Sequence, residues 1–162
     1  MSDWKEEMLQ HVEKALLSDS PWRNYFSEPS AKIHLAILVE PYLTYMLDGR
    51  KTIESRFSVK RCAPFEQIGA GDIILLKKTA GPIVGICRAL NAWFYSIEPE
   101  SWESMQHFSA EICAEDPNFW ESRRHASFAT LIRVHDVESI DPIPVKKRDR
   151  RGWVVVREKT LF

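Results

Sequence analysis

An amphipathic stripe runs through residues 3–17, where apolar side chains recur four positions apart: Trp4, Met8, Val12 and Leu16. This spacing places them on one face of a helix. Ser2 and Asp3 precede the stripe and can cap the start of that helix. A looser, proline-containing stretch follows. We therefore predict that residues 1–32 form a helical extension that packs on the main body through Trp4, Met8 and Val12.

Short apolar or alternating runs, separated by turn residues, predict strands at six places: 33–39, 51–59, 73–78, 83–95, 127–140 and 152–156. Pro41 and Gly49 bracket a segment with an apolar face, which predicts a short helix over 41–48. Residues 98–121 contain seven acidic residues and neither Lys nor Arg, and two prolines there are placed to start helices. This segment predicts a helical insert with an acidic outer surface.

The order of these elements favours an α+β fold, because few helices are available as crossovers between parallel strands. We expect residues 33–157 to form a small mixed β-barrel, closed or nearly closed, of five to six strands with peripheral helices. The main domain is assigned to residues 33–162, with its helical insert near 98–124 outside the barrel.

The overall charge is near zero, since the sequence has 22 Lys and Arg residues and 23 Asp and Glu residues. Two windows are nevertheless strongly basic: residues 50–61 and 146–151 each hold five basic residues against one acidic residue. Phosphate contacts need such local patches, because each neutralised phosphate releases counterions. Solvated surface charge is the alternative interpretation of both runs.

No apolar run approaches the ~20 residues that span a bilayer, and the acidic N-terminus does not resemble a signal peptide. We therefore expect a cytoplasmic protein with no membrane partner. Cys62, Cys87 and Cys113 fit neither a disulfide framework nor a zinc motif, so three reduced thiols are expected. The five histidines show no metal-site spacing, which predicts no metal and no cofactor; His125, beside two arginines, is the one of interest.

The segment from Gly49 to Arg56, followed by Gly71-Asp72 opening a strand, resembles the G-x-K-x-x-E-x-R signature of ASCH domains, which belong to the PUA-like superfamily. The resemblance covers roughly residues 33–157. It implies a PUA-like β-barrel with a cleft lined by the signature residues, and an association with RNA or modified nucleobases. Some relatives hydrolyse acylated cytidine and others are ribonucleases.

The signature residues Lys51, Glu54 and Arg56 can act together in such a cleft, and we predict that they converge on one pocket. Glu54 would accept from a base amino group, while Lys51 and Arg56 would bind carbonyl or phosphate oxygen. The alternative is a structural Glu–Arg pair that bridges barrel strands.

The amidohydrolase relatives use a Lys, a Thr three positions later and a Glu on a later strand. Lys51 matches the first of these, but position 54 holds Glu. This difference favours binding of RNA or a modified nucleoside, and a small hydrolase with Lys51 and Glu54 as catalytic residues is the alternative. A general base needs a buried lysine with a lowered pKa, whereas a phosphate-binding lysine should be exposed and charged. We expect the charge of Glu54 to dominate and Lys51 to stay charged.

Stacking of a nucleobase on an aromatic side chain contributes ~1–3 kcal/mol per base to the binding free energy. Trp153, which follows the basic run, and the segment 93–95 are the candidates for stacking, and the other four tryptophans are assigned to the core. Arg150 and Arg151 are predicted to contact phosphates. The oligomeric state and the choice between RNA, DNA and a free nucleoside stay open.

Overall fold

Six strands form one curled mixed sheet in residues 4–16, 20–28, 31–147 and 150–159, which are the residues that the computed structural model describes. The strands are β1 (Ile33–Leu38), β2 (Ile53–Ser58), β3 (Ile73–Lys78), β4 (Ile83–Ser96), β5 (Phe128–Ile143) and β6 (Trp153–Arg157). Their order across the sheet is β2-β5-β4-β3-β1-β6, and of the neighbouring pairs only β1 and β3 run parallel. The predicted α+β class is confirmed, and the sheet is curled into a half-barrel.

The helices of the described residues are α1 (Trp4–Ala15), α2 (Pro21–Phe26), α3 (Tyr42–Leu47), α4 (Pro99–Gln106), α5 (Ser109–Ile112) and α6 (Pro117–Glu121). Helix α2 is not among the predicted elements; its first turn is capped by the Ser20 hydroxyl, which accepts from the Trp22 N–H at 3.2 Å. Ser2 and Asp3, the predicted caps of α1, lie outside the described residues. No helix among those described is both long and apolar enough to cross a membrane.

The two faces of the sheet carry separate apolar cores because side chains alternate along each strand. On the outer face α1 and α2 cover the odd-numbered residues of β1 and β3, with Met8, Val12, Trp22 and Phe26 all buried. Trp4 is partly buried against the same cluster. The N-terminal helix therefore packs on the body through the predicted residues. The even-numbered residues face the inside of the half-barrel, where Leu43 and Met46 of α3 join them.

A third core lies between the helical insert and the sheet. Ile53 of β2 and Leu131 of β5 contact a buried cluster from α4–α6 that includes Trp102, Met105, Ile112 and Trp120. Six of the seven acidic residues of the insert are exposed, and Glu111 is half-buried. The insert is therefore helical with an acidic outer surface, and its inner side packs on β2 and β5.

Candidate functional site

A cleft of about 480 Å³ opens beside the end of β1 and the exposed edge of β2. Its walls are formed by residues 37–39 at the end of β1, residues 54–58 of β2, Tyr42 of α3, and the segment from Phe119 to Ala126. Lys51, Glu54 and Arg56 all line this cleft. The structure thus brings the three signature residues into one concave pocket.

The backbone around Gly49 explains this convergence. Helix α3 ends there, and Gly49 adopts a φ of +86°, a left-handed conformation that glycine reaches without strain. The turn returns the chain so that the Lys51 N–H donates to the Tyr45 carbonyl at 2.8 Å. Strand β2 then begins, and its alternation places Glu54 and Arg56 on the cleft side while Ile53 enters the core under the insert.

The ammonium of Lys51 is almost fully enclosed, with 2% of the residue exposed. Its Nζ donates to the Ile112 carbonyl at 2.7 Å and lies 3.4 Å from Oε1 of Glu54. The ring centroid of Tyr42 lies 5.4 Å from the same nitrogen. Burial lowers the pKa of Lys51 below its ordinary value, although the charge of Glu54 opposes this shift. The expectation that Glu54 would outweigh burial, and that Lys51 would be exposed, is therefore wrong.

Glu54 is a buried carboxylate held in its charged form. Burial alone would raise its pKa, but the charges of Arg56 and Lys51 and the Ser55 N–H together lower that pKa below the ordinary value. Oε1 accepts from the Ser55 N–H at 2.8 Å, and Oε2 accepts from Nη2 of Arg56 at 3.0 Å. A carboxylate has about four acceptor positions, so these contacts leave capacity for a further donor.

Arg56 combines the two roles that the sequence analysis treated as alternatives. Its Nη2 also donates to the Ile37 carbonyl at 2.9 Å, and its Nη1 donates to the Gly152 carbonyl at 3.0 Å. Arg56 is therefore a structural bridge to β1 and to the start of β6. The same side chain remains 21% exposed and lines the cleft, where it contributes positive charge.

The cleft wall also contains side chains that were not predicted as site residues, among them Tyr42, Phe119 and Arg123. The guanidinium of Arg123 lies 3.7 Å from the ring centroid of Phe119, and its Nη1 donates to the Phe119 carbonyl at 2.8 Å. His125, noted in the sequence for its two neighbouring arginines, is exposed and lines the same wall. The signal that could have found this wall is the change from an acidic segment without cations to Arg123, Arg124 and His125.

The structure does not bring Trp153 into the cleft. Only 3% of the residue is exposed, and its indole Nε1 donates to Nδ1 of His34 at 2.9 Å. The guanidinium of Arg56 lies 5.1 Å from its ring, so Trp153 supports the cleft from the core side. The segment 93–95 is likewise not part of the cleft lining: Trp93 stacks on Phe108 at 5.1 Å.

The predicted phosphate contacts lie outside the cleft lining. Arg150 and Arg151 are exposed and immediately precede Gly152, whose carbonyl Arg56 holds. Arg148 and Asp149 of the same basic run lie outside the described residues.

Ion pairs reduce the charge of the first basic window. Arg50 pairs with Asp48 and Arg61 pairs with Glu66, both at the surface. The count over residues 50–61 therefore overstates the free positive charge, because both carboxylates lie outside that window. Among the described residues, no three His, Cys, Asp or Glu side chains are grouped in a way that could hold a metal ion.

Among the solved structures that share this fold are three forms of one protein. They are the ASCH protein from Zymomonas mobilis, with a TM-score of 0.61 and 14% identity over 78% of this chain and 89% of that one, and two single-site variants of it. The serine-to-alanine variant has a TM-score of 0.58 and 14% identity over 80% of this chain and 92% of that one. The tyrosine-to-phenylalanine variant has a TM-score of 0.57 and 13% identity over 78% of this chain and 91% of that one. No family model and no curated protein matches the sequence.

Proposed function

We propose that this chain, which has the fold of the ASCH domain, binds RNA by enclosing one nucleobase, ordinary or modified, in the cleft of Lys51, Glu54 and Arg56. The observation that carries this proposal is the set of charges in the cleft. The cationic side chains of Lys51, Arg56 and Arg123 surround a single carboxylate, that of Glu54. A concave surface with this excess attracts polyanions.

The size and the lining of the cleft suit a nucleobase. Its volume of about 480 Å³ falls in the usual range of small-molecule sites. Tyr42 and Phe119 supply aromatic surface, and stacking on such surface contributes ~1–3 kcal/mol per base. Glu54 retains acceptor capacity for an exocyclic amino group, while Lys51 donates to a ring carbonyl.

The phosphates adjoining that base would lie at the mouth of the cleft. Arg123 and His125 line one of its walls. The exposed Arg150 and Arg151 lie outside the lining but immediately precede Gly152, whose carbonyl accepts from Arg56. Each phosphate that such a cation neutralises releases counterions, so the affinity should fall steeply as salt rises.

One observation favours a second candidate function, a small hydrolase. Lys51 is buried and its pKa is lowered, which is the direction of shift that a lysine acting as a general base requires. As the neutral amine it could deprotonate a water that attacks the acyl carbon of an N-acylcytidine; the C–N bond then breaks, and the Lys51 ammonium returns the proton to the leaving amino group. In metal-independent RNA cleavage it could instead deprotonate the 2′-hydroxyl, which attacks the neighbouring phosphorus; the P–O5′ bond then breaks, and the proton passes to the 5′-oxygen. Glu54, 3.4 Å from Nζ, would hold the lysine in place and stabilise its protonated form.

Fluorescence titration of short RNA oligomers at several salt concentrations tests the first proposal. The Lys51→Met variant should weaken binding about tenfold, which corresponds to about 1.4 kcal/mol. The matched control is Lys60→Met, because Lys60 is exposed and lies outside the cleft lining. Equal affinity of Lys51→Met and wild type would contradict the proposal.

Incubation of the purified protein with N4-acylcytidine and with RNA tests the second candidate. Release of carboxylate or of RNA fragments by the wild type, and its loss in a folded Lys51→Met variant, would establish the hydrolase. Absence of turnover in the presence of RNA binding would leave binding as the function.

A further inference from the structure

A second groove, of about 520 Å³, opens at the end of β3. It lies between the turn of residues 80–82 and the segment that leaves β5, which contributes Pro142, Pro144 and Val145. Two lysines, Lys77 and Lys147, complete the lining. No acidic residue belongs to this lining in the described part of the chain.

Lys77 is the unusual feature of this groove, because only 7% of the residue is exposed. Its Nζ donates to the Lys78 carbonyl at 3.2 Å, a neutral acceptor that does not balance the charge of the ammonium. Among the described residues, no carboxylate lies within ion-pair distance of Lys77. A charged lysine that is buried along most of its length and has no carboxylate partner is energetically unfavourable, and the usual remedies are a bound anion or loss of the proton.

The second cation increases this unfavourable charge. Burial, and then the charge of Lys147, lower the pKa of Lys77 below its ordinary value. An anion beside the Lys77 ammonium would oppose both effects, since its negative charge favours the protonated form of that lysine.

We propose that the groove of Lys77 and Lys147 binds a phosphate group. A phosphate carries up to two negative charges and three acceptor oxygens, which match two separate ammonium groups. Lysine binds phosphate as a point charge, so it needs no fixed planar geometry. This site is separate from the nucleobase cleft and does not depend on the function proposed for that cleft.

The groove nevertheless lies close to the cleft. Strands β1 and β3 are parallel neighbours, and Leu38, which lines the cleft, is paired with Lys78, the residue after Lys77. The phosphate could therefore belong to the backbone of an RNA whose base occupies the cleft, or to a free phosphomonoester.

NMR titration of the full-length, ¹⁵N-labelled protein with inorganic phosphate tests the site, with ionic strength held constant by sodium chloride. The amide resonances of Ala80 and Gly81 should shift and saturate in the wild type. They should do the same in Lys78→Met, the matched control, since Lys78 is the exposed neighbour of Lys77. In Lys77→Met and in Lys147→Met the apparent dissociation constant should rise at least fivefold. Unchanged titrations in both variants, or equal shifts with chloride alone, would overturn the proposal.

A second titration, with a short RNA, distinguishes the two sources of phosphate. Concerted shifts at Gly81 and at Ser55 of the cleft would identify a backbone phosphate. Shifts at Ser55 alone would exclude the RNA backbone, and the phosphate response of the groove would then belong to a free phosphomonoester. If phosphate shifts the groove resonances and RNA does not shift the cleft resonances, the proposed RNA-binding function is wrong and the phosphate site is supported. If RNA shifts the cleft resonances and neither ligand shifts the groove resonances, the phosphate site is wrong and the proposed function is supported.

Discussion

Nη1 of Arg56 lies 3.0 Å from the carbonyl oxygen of Gly152, so a side chain of β2 is bonded to the residue that precedes β6. These are the two edge strands of the sheet, and the order β2-β5-β4-β3-β1-β6 leaves them without direct pairing. The same carbonyl also accepts the N–H of Ile37 at 3.0 Å. Arg56, the last residue of the signature, therefore closes the open side of the half-barrel beside the cleft.

Replacing Arg56 by Gln should destabilise the fold. The Ile37 and Gly152 carbonyls would lose a donor, and the buried carboxylate of Glu54 would lose its arginine partner. Breaking such a buried contact costs about 2–4 kcal/mol in the free energy of unfolding, measured by urea denaturation. Arg61→Gln is the control, because its pair with Glu66 is exposed and should matter by less than about 1 kcal/mol. Equal effects of the two substitutions would contradict the closing role of Arg56.

The lowered pKa of Glu54 predicts a loss of stability in acid. In the folded state Glu54 binds its proton less readily than in the unfolded chain, so the charged carboxylate stabilises the fold above the unfolded pKa. That contribution disappears as the pH falls from the ordinary Glu value of about 4.3 through the lower folded value. The stability advantage of wild type over Glu54→Gln should therefore shrink over this interval in urea unfolding at successive pH values. A difference that is constant with pH would show that the shift is absent.

Lys51 should make RNA binding sensitive to alkaline pH. Because burial lowers its pKa, Lys51 loses its positive charge at a lower pH than an exposed lysine does. Over that interval the wild type should lose about one unit of the slope of log affinity against log salt. The slope of Lys51→Met should stay constant, whereas Lys60→Met should follow the wild type. Parallel behaviour of Lys51→Met and wild type would remove Lys51 from the binding surface.

Much of the fold follows from local patterns in the sequence. The strand at 73–78 was predicted with its observed bounds, because an apolar run between two glycine turns has few alternatives. Helix α2 was missed, since its six residues begin with Pro21 and carry no repeating stripe; the cap at Ser20 is its main local signal.

The sequence was enough to predict which signature residues share the cleft, but not how deeply their side chains are buried. Alternation along β2 was enough to place Glu54 and Arg56 on one side of the strand. The burial of Lys51 depends on the Ile112 carbonyl, 61 residues away in the insert, and no local pattern encodes that contact. The same holds for Arg123, which reaches the cleft only because α6 packs on the third core through Phe119 and Trp120.

The three thiols should differ in reactivity. Cys87 is fully buried, and burial, followed by the charge of Glu54, raises its pKa. Cys62 is exposed, so a disulfide reagent added to the native protein should modify it first and leave Cys87 unmodified until the protein unfolds. Mass spectrometry of peptides after brief labelling measures the order, and a Cys62→Ser variant should lose the fast phase. Rapid native labelling of Cys87 would contradict the packing of β4.

The partners of Trp153 predict that this residue serves stability and not ligand contact. Because its indole N–H donates to Nδ1 of His34, the His34 proton resides on Nε2 and is donated to Oδ2 of Asp72 at 2.9 Å. Trp153→Phe would leave the buried Nδ1 without a donor, which costs about 1–3 kcal/mol in the free energy of unfolding. Since the ring does not line the cleft, the RNA affinity of the folded variant should stay within about twofold of the wild type, a difference below about 0.5 kcal/mol.

Tyr42→Ala provides the opposite case, because Tyr42 does line the cleft. Loss of its ring should weaken RNA binding by about 1–3 kcal/mol, the contribution of one base–aromatic stack. Thermal denaturation and RNA titration of the two variants measure both properties on the same samples. If Trp153→Phe keeps its stability and loses RNA affinity while Tyr42→Ala does not, then the indole contacts the nucleobase as the sequence had suggested. In that case the buried contact of Trp153 with His34 would have to open when RNA binds.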